Sequence, residues 1–275
     1  MFKKFRALLS QINLYCLRGK TMELTVKCCG RALTQNGKKL LALKNRYQGR
    51  RAFIIGNGPS LTKTDLRLLK NEITIGCNGL FLLFDYMNYL PTFYTVEDRL
   101  VAEDRADIIN NIRGTIKIFP YDLRYCLKPD SDTIYINFIR QYPSFPEFSD
   151  KFESYVYWGG TVSFLNLQLA YYLGIREIYL IGIDHNYKGP NDRDEQEAFV
   201  VTSHSQDKNH FHPDYFGPGF RYHDPKVERM EVAYHKAKEF LNRNDCIVYN
   251  ATIKGKLEVF PRIEYADVLS KLGIS

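Results

Sequence analysis

A short turn after the first apolar run carries residue types that bind phosphate. The run from 52 to 55 is followed by Gly56, Asn57, Gly58, Pro59 and Ser60. Glycine lets a backbone approach a phosphate closely, and Asn and Ser side chains donate hydrogen bonds to phosphate or ribose oxygens. The turn lacks both the dinucleotide-binding Gly-x-Gly-x-x-Gly spacing and the Gly-Lys-Ser/Thr ending of a P-loop. It is therefore a nucleotide site of another kind, or a tight turn that only joins a strand to a helix.

Four further turns place Asn, Asp or Gly directly after apolar runs. They are Asn78-Gly79, Glu97-Asp98, Gly182-Ile183-Asp184 and Asn250-Ala251-Thr252. If the runs are parallel strands, all five turns fall at the carboxyl edge of one sheet, where open α/β sheets bind ligands. The sequence therefore predicts a nucleotide on this rim, and a cytidine or uridine nucleotide suits it.

The six histidines all fall between residues 185 and 235 and supply candidate bases. Histidine titrates near neutral pH and can remove a proton from a sugar hydroxyl. His223, just before a predicted helix, is the first candidate, and His212 is the second. His235 falls inside an amphipathic helix and is assigned to its packing. Neither the pair His210 and His212 nor the six cysteines show the ligand spacing of a zinc site, so no metal is predicted.

The elements that must position these residues alternate between strands and helices. Strands are expected at 52–56, 73–77, 92–96, 115–119, 133–137, 177–182 and 246–249. Helices are expected at 65–70 with a capping box at 62–65, at 103–112, at 161–173, and at 225–242 after a capping Asp224. Periodicity is lost from 185 to 222, which predicts a long lid-like loop. The alternation predicts a Rossmann-like α/β domain, residues 52–265, with a mainly parallel sheet covered by helices on both faces.

Basic residues are concentrated in the first 51 residues, which we name the basic arm. It holds 13 of the 38 Lys and Arg residues and one of the 31 Asp and Glu residues. Interleaved apolar residues predict an amphipathic helix that lies on an anionic membrane surface or docks a partner, with a solvated helix as the alternative. Nucleic acid is disfavoured, because the remaining chain is mildly acidic and shows no nucleic-acid module. Residues 266–275 are assigned to a C-terminal tail.

The sequence predicts neither a membrane-spanning helix nor a signal peptide. The best apolar run, from 79 to 90, is interrupted by Asp85 and is too short to span a bilayer. Gln11, Asn13 and Arg18 interrupt the apolar region that a signal peptide needs, and no small-residue cleavage site follows. The prediction is a cytoplasmic protein, with peripheral attachment to the inner face of the cytoplasmic membrane through the basic arm.

Two segments resemble known transferase families. The first is Phe53 to Leu61 with Gly76-Cys77-Asn78 one strand later, and the second runs from Gly160-Thr161-Val162-Ser163 to Gly182-Ile183-Asp184. They resemble bacterial sialyltransferases that cap lipooligosaccharides. They are at least as similar to the broader family named for 6-hydroxymethylpterin diphosphokinase, which includes flagellin-modifying motility accessory factors. The likeness covers about residues 50–265.

The sialyltransferase resemblance implies a variant of the GT-A glycosyltransferase fold and an inverting, metal-independent reaction. An acidic sugar of the sialic acid, pseudaminic acid or Kdo type would pass from a CMP-activated donor, a substrate and not a cofactor, to a hydroxyl of a surface glycan. A histidine before the late helix would be the base. The residues that the resemblance assigns to the nucleotide, the donor sugar and the phosphate are Asn57, Asn78, Gly160, Thr161, Asp184 and Tyr187.

Tyr157-Trp158-Gly159 stands where those enzymes carry an arginine before the threonine. Arg221 or Arg229 is the expected substitute for binding the donor's carboxylate. One alternative function is a pterin diphosphokinase, which would need ATP and Mg²⁺ with Asp98 and Asp184 as candidate ligands. Another is a non-catalytic nucleotide-binding scaffold of glycan assembly. The expected partners are a nucleotide-sugar donor and a glycan acceptor, and a homo-oligomer stays open.

Overall fold

The computed structural model describes residues 14–29, 32–188, 195–197 and 200–274, and these residues form twelve β-strands. In chain order the strands are β1 (Arg51–Ile55), β2 (Ile73–Cys77), β3 (Phe93–Thr95), β4 (Ile116–Pro120), β5 (Thr133–Ile136), β6 (Phe138–Ile139), β7 (Val156–Tyr157), β8 (Glu177–Ile181), β9 (Glu195–Glu197), β10 (Val200–Thr202), β11 (Arg221–His223) and β12 (Ile247–Asn250). β1 to β5, β8 and β12 form one parallel sheet. β9, β10 and β11 form a small antiparallel sheet, and β6 pairs with β7.

Helices occupy the connections between these strands. In chain order the α-helices of the described residues are α1 (Leu14–Cys29), α2 (Gln35–Leu41), α3 (Phe84–Met87), α4 (Arg99–Asp104), α5 (Ala106–Asn111), α6 (Val162–Tyr172), α7 (Val227–Arg243) and α8 (Tyr265–Lys271). Short 3-10 helices are present at Pro59–Lys63, Leu66–Leu69, Asn78–Leu83 and Tyr121–Leu123.

Alternate side chains of β1 pack on opposite faces of the sheet. Ala52 and Ile54 belong to a core cluster that contains residues of α6 and α7. Phe53 and Ile55 belong to a second cluster that contains Val268 of α8. Because side chains alternate along a strand, a strand with both faces covered is apolar at every position. This confirms the predicted Rossmann-like α/β fold with helices on both faces.

The strand order reverses beside β1, and this fixes where a ligand site can form. Across the sheet the order is β12, β8, β1, β2, β3, β4, β5. The chain therefore builds outward from β1 to β5 and then returns to add β8 on the other side of β1. β1 and β8 pair along their whole lengths and end together, with Ile55 opposite Ile181. In open α/β sheets, ligands bind beyond the carboxyl ends of the strands at such a reversal.

The predicted helix at 65–70 is wrong in its type and in its cap. The segment forms a single turn of 3-10 helix, and Asp65 caps it by accepting a hydrogen bond from the Arg67 N–H at 3.1 Å. Thr62 does not form a capping box, because its hydroxyl donates to the carbonyl of Pro59 at 2.8 Å.

Two other predicted helices differ at their starts. The segment expected at 103–112 is two short helices, α4 and α5, and α4 begins earlier because Asp98 caps it by accepting hydrogen bonds from the N–H groups of Leu100 and Val101. The helix expected at 225–242 is α7, which begins at Val227 without a side-chain cap. Asp224 does not cap it, since its carboxylate binds the Lys226 ammonium at 2.9 Å.

The predicted lid-like loop, residues 185–222, contains regular structure. β9 and β10 lie within it, and β11 begins at its end. The expectation of a loop without strands was wrong here, because three-residue strands are too short for alternation to show in the sequence. Residues 189–194 and 198–199 lie outside the described residues.

Helices near both chain ends pack on the domain. In the basic arm, the Asn36 amide of α2 exchanges two hydrogen bonds with the backbone of Tyr135, at 2.9 and 2.7 Å, and Leu40 is buried. In the predicted tail, Val268 of α8 is buried and Lys271 binds Glu177 at 2.8 Å. The first five apolar positions of the predicted membrane-surface pattern, at residues 2, 5, 8, 9 and 12, lie outside the described residues, and its last two, Leu14 and Leu17, lie in α1. Within the described ranges, no helix is both long and apolar enough to cross a membrane.

We expect Ile178→Ala to lower the free energy of unfolding by about 2–5 kcal/mol, because Ile178 of β8 is fully buried between helices. Ile247→Ala makes the same change on neighbouring β12 at a residue that is 49% exposed, and it should cost less than about 1 kcal/mol. Urea denaturation of both variants measures the difference. Equal losses would contradict the assignment of β8 to the centre of the core.

Candidate functional site

A cleft of about 1110 Å³ opens at the carboxyl edge of the central sheet, at the reversal of strand order. The turns that follow β1, β2, β3 and β8 line the cleft. Its other walls come from the residues after β6, the start of α6, the segment from β10 to β11, and the first turns of α7. This volume is large enough for a ligand of nucleotide size.

Most of the residues predicted for binding or catalysis line this one cleft. They are Gly56, Asn57, Gly58, Asn78, Asp98, Gly160, Thr161, Gly182, Asp184, Tyr187, His223 and Arg229. Five others do not line it: Pro59, Ser60, His212, Arg221 and Asn250. The carboxyl edge of the sheet therefore collects side chains from distant parts of the chain, as its topology predicts.

The residues outside the cleft have local structural contacts. Asn250 is fully buried, and its amide bonds to the Leu257 carbonyl at 2.8 Å and to the Thr252 N–H at 3.0 Å. It thus closes its own turn on edge strand β12. His212 accepts a hydrogen bond from the Asp214 N–H at 3.2 Å on the outer side of the segment.

Three N–H groups of the glycine-rich turn donate hydrogen bonds within the protein. The Gly56 N–H donates to Ile181 and the Gly58 N–H donates to Gly182, both at 2.8 Å. Ser60 donates its N–H and its hydroxyl to Asp184, at 3.2 and 2.6 Å. These three N–H groups are therefore engaged in contacts between the turn after β1 and the turn after β8.

Glycine is required at position 58 by this packing. A Cβ atom there would lie 1.9 Å from an Asp184 carboxylate oxygen. Burial raises the pKa of Asp184, although its hydrogen bonds from Ser60 oppose the rise. Asp184 therefore fastens the first turn to the turn after β8.

Three buried polar atoms in the cleft have no hydrogen-bond partner among the described residues. They are Asn57 Oδ1, Asn78 Oδ1 and His185 Nε2. Buried polar atoms in native proteins almost always have a partner, so an unpartnered atom calls for an explanation. Asn137 Oδ1, Glu153 Oε2 and Asn166 Nδ2 are unpartnered in the same way but belong to residues outside the cleft. Asn78 and His185 also have left-handed backbone, with φ of 47° and 50°, a conformation that concentrates at functional sites.

His185 was not singled out from the sequence. The feature of the sequence that could have identified His185 is its position directly after the Gly182-Ile183-Asp184 turn, which was assigned to the ligand-binding rim. Burial lowers its pKa below the ordinary value, so its imidazole is neutral near pH 7. Its ring lies edge-on to Tyr234 of α7 at 5.8 Å between centroids.

His223 and Asp98 form a hydrogen-bonded pair on the wall of the cleft. The His223 Nδ1 lies 3.0 Å from Asp98 Oδ2, and Asp98 Oδ1 accepts from the N–H groups of Leu100 and Val101 at 2.8 and 3.0 Å. An ionised carboxylate only accepts, so Nδ1 carries the proton and Nε2 is left as the basic nitrogen. Both Asp98 oxygens thus serve the protein, although the sequence assigned Asp98 to the ligand.

This contact shifts the titration of both groups. The hydrogen bond that His223 donates to Asp98 raises the pKa of His223 and outweighs partial burial. Burial alone would raise the pKa of Asp98, but the hydrogen bonds from His223 and from α4 lower it overall. Asp98 therefore stays ionised and supports a protonated His223.

A buried carboxyl group that the sequence did not single out lies beside this pair. Burial raises the pKa of Glu97 to about 7, and Arg140, with its Nη1 3.3 Å from the Glu97 Oε2, limits the rise. Arg140 also binds Asp122 at 3.3 Å. The turn after β3 was recognised from the sequence, but the burial of Glu97 depends on residues far along the chain.

The segment between β10 and β11 is anchored to the sheet. The Phe211 N–H donates to the Asn57 carbonyl at 3.0 Å, and the Tyr215 hydroxyl accepts from the Gly79 N–H at 3.4 Å. The His210 imidazole stacks on the Tyr215 ring with centroids 3.9 Å apart. This part of the predicted lid forms a fixed wall of the cleft. In the described part of the chain, no group of three or more His, Cys, Asp or Glu residues is arranged to hold a metal ion.

We expect NMR titration of His223 to give a pKa above 6.5, because Asp98 stabilises the imidazolium. Asp98→Asn should lower this pKa, since the amide keeps the helix cap but loses the charge. Asp214→Asn removes a carboxylate from the outer side of the segment, where it lies near His212, and should leave His223 unchanged. A His223 pKa that Asp98→Asn leaves unaltered would contradict the pairing.

Comparison with known protein families matches residues 29–190 to the family described as 6-hydroxymethylpterin diphosphokinase MptE-like. A search of curated proteins finds no match. Among solved structures, the MAf glycosyltransferase from Magnetospirillum magneticum AMB-1 is similar, with 18% identity and a TM-score of 0.48, over 83% of this chain. The chain spans only 38% of the length of that structure. The family match covers more than half of the chain and contains β1 to β8, so this protein belongs to the 6-hydroxymethylpterin diphosphokinase MptE-like family.

Proposed function

We propose that this protein is an inverting glycosyltransferase that moves an acidic sugar, of the sialic acid, pseudaminic acid or Kdo type, from CMP to a hydroxyl of a glycan. One observation carries the proposal: His223, oriented by Asp98, lines the same cleft as the unpartnered polar atoms of Asn57, Asn78 and His185. A histidine base in a cleft whose lining residues carry polar atoms without hydrogen-bond partners suits deprotonation of a bound alcohol.

The unpartnered atoms favour the nucleoside part of such a donor. The amide oxygens of Asn57 and Asn78 are acceptors, and a cytosine amino group and ribose hydroxyls are donors. Cationic side chains at the rim, Arg99, Lys188 and Lys208, supply positive charge for the phosphate in place of the turn amides. The nucleotide is thus bound by side chains in this proposal.

The reaction follows from the orientation of His223. Its Nε2 takes the proton of the acceptor hydroxyl while that oxygen attacks the anomeric carbon of the donor sugar. The bond from this carbon to the phosphate oxygen breaks, and CMP leaves with the bonding electrons. Asp98 stabilises the imidazolium that forms, so the proton transfer is favoured as the new bond develops. Attack opposite to the leaving phosphate inverts the configuration.

A pterin diphosphokinase is the second candidate, since the family description names that activity. It needs ATP and Mg²⁺, with carboxylates that bind the metal. Asp98 binds His223 and α4, and Asp184 binds Ser60, so both candidate ligands are engaged in protein contacts. The geometry therefore favours the glycosyl transfer. A nucleotide-binding scaffold without catalysis is the third candidate, and the role of His223 separates it from the first.

We expect CMP to raise the melting temperature without Mg²⁺ in a panel of CMP, CDP, UDP, GDP and ATP, each with and without Mg²⁺. Asn78→Ala should weaken CMP binding by about two- to tenfold, as the loss of one hydrogen bond does. Asn88→Ala is the matched control, because Asn88 is exposed and has the same left-handed backbone, with φ of 56°. Stabilisation by ATP with Mg²⁺ alone would instead support the diphosphokinase.

We expect His223→Ala to lower the rate of CMP release from a CMP-sugar by about 10²- to 10⁴-fold while CMP binding is retained, because only the base is lost. His212→Ala should keep the rate, since His212 does not line the cleft. In the unmodified protein the rate should rise with pH through the raised pKa of His223, because the base must be neutral to accept a proton. Full activity of His223→Ala would contradict the assignment of the base.

A further inference from the structure

A wall of aromatic side chains with one arginine borders the cleft beside β6 and β7. Tyr142, Trp158 and Arg229 line the cleft, and the Phe145 ring contacts all three. The Arg229 guanidinium lies over the Trp158 ring at 4.5 Å and over the Phe145 ring at 4.4 Å. These contacts combine a flat apolar surface with a positive charge in one place.

The strand pair β6 and β7 holds this wall in position. The Trp158 N–H donates to the Ile139 carbonyl at 2.9 Å, directly after the last strand residue. The Tyr142 hydroxyl donates to the Trp158 carbonyl at 2.5 Å, and its ring packs on Tyr157 at 4.8 Å between centroids. The aromatic surface is therefore formed before any ligand binds.

Arg229 has no carboxylate partner and donates no hydrogen bond among the described residues. Arg140 binds Glu97 and Asp122, and Arg221 binds Glu103 and Asp104. The contacts of the Arg229 guanidinium are with the Trp158 and Phe145 rings. A guanidinium has five N–H donors, and ring contacts alone leave these donors available to an anion. Of the two arginines that the sequence offered for a carboxylate, Arg221 is thus already paired.

We infer that Tyr142, Trp158 and Arg229 form a subsite for a sugar ring that carries a carboxylate. The C–H face of the ring packs on the indole of Trp158, and the carboxylate accepts hydrogen bonds from Arg229. The inference rests on the proposed function and specifies its sugar class. Either the donor sugar or an acidic sugar of the acceptor supplies this chemistry.

Intrinsic fluorescence tests the subsite directly, because Trp158 is the one tryptophan of the chain. We expect N-acetylneuraminic acid to change the emission of the full-length protein in a saturable way. Its methyl ester, which lacks the negative charge, should bind at least about tenfold more weakly, as the loss of a charge-assisted hydrogen bond predicts. An absent response, or equal binding of acid and ester, would overturn the inference.

Two variants on one helix separate the role of Arg229 from general effects. Arg229→Gln should abolish the preference for the acid over the ester. Arg243→Gln should preserve it, because Arg243 lies at the far end of α7 and pairs with Glu239. Thermal unfolding verifies that both variants are folded. Retention of the preference in Arg229→Gln would also overturn the inference.

Competition experiments identify whether the donor or the acceptor supplies the sugar, and a separate measurement tests the proposed function. If CMP-N-acetylneuraminate changes the Trp158 emission, CMP alone does not, and the free sugar competes with it, the donor occupies the wall. If the free sugar still binds with the CMP-sugar in place, the acceptor does. Both outcomes support the inference. CMP binding in the thermal-shift panel is read separately, so sugar binding without CMP binding would reject only the proposed function.

Discussion

The pairing of β1 with β8 is the constraint on which the cleft depends. The two strands end at the same level, and the turns beyond them are joined by hydrogen bonds from Gly56 and Gly58 to the β8 side. The absence of a side chain at Gly58 lets Asp184 approach and bind Ser60. The other walls of the cleft lie on the two sides of this junction. The chain leaves β1 towards β2 on one side, and β8 with β12 lies on the other side.

This junction uses the polar groups that a phosphate loop offers to its ligand. The N–H groups of Gly56, Gly58 and Ser60 are engaged within the protein, so the proposed function assigns recognition of the nucleotide to side chains at the ends of the neighbouring strands. Asn57 contacts the Cys77 sulfur at 3.3 Å through its Nδ2 and keeps its Oδ1 without a partner. Asn78 and His185 likewise present one unpartnered atom each. Because burying such atoms without a partner costs free energy, a ligand that pairs them would stabilise the protein.

The sequence predicts the strands and turns around this site better than the contacts of individual side chains within it. Strands with both faces buried are continuous apolar runs, so the seven strands of the central sheet and the turns after them are visible without a structure. The positions of Glu97, Arg140 and Arg229 depend on contacts between segments far apart in the chain, which no local pattern contains. The same reason hides the contact of Ser60 with Asp184 and that of Asp98 with His223, because a local pattern does not tell whether a polar turn residue binds a ligand or a distant side chain. The short helices around residues 59–69 and 99–111 follow tertiary packing more than local propensity.

The electrostatics of the cleft follow from the turn after β3, where Glu97 and Asp98 are adjacent. Asp98 is held ionised by its contacts, whereas Glu97 is buried and titrates at about pH 7. Both carboxylates raise the pKa of His223, with Asp98 as the larger influence. Glu97 and His223 each lose a proton as the pH rises, so both titrations make this wall more negative. In the proposed function an anionic donor is therefore attracted more at lower pH, whereas the imidazole accepts a proton only after it has become neutral, so binding and proton transfer depend on pH in opposite directions. Arg140 limits this opposition, because its positive charge keeps the pKa of Glu97 from rising further. The burial of the turn after β3 and this ion pair together set the pH range in which Glu97 changes its charge.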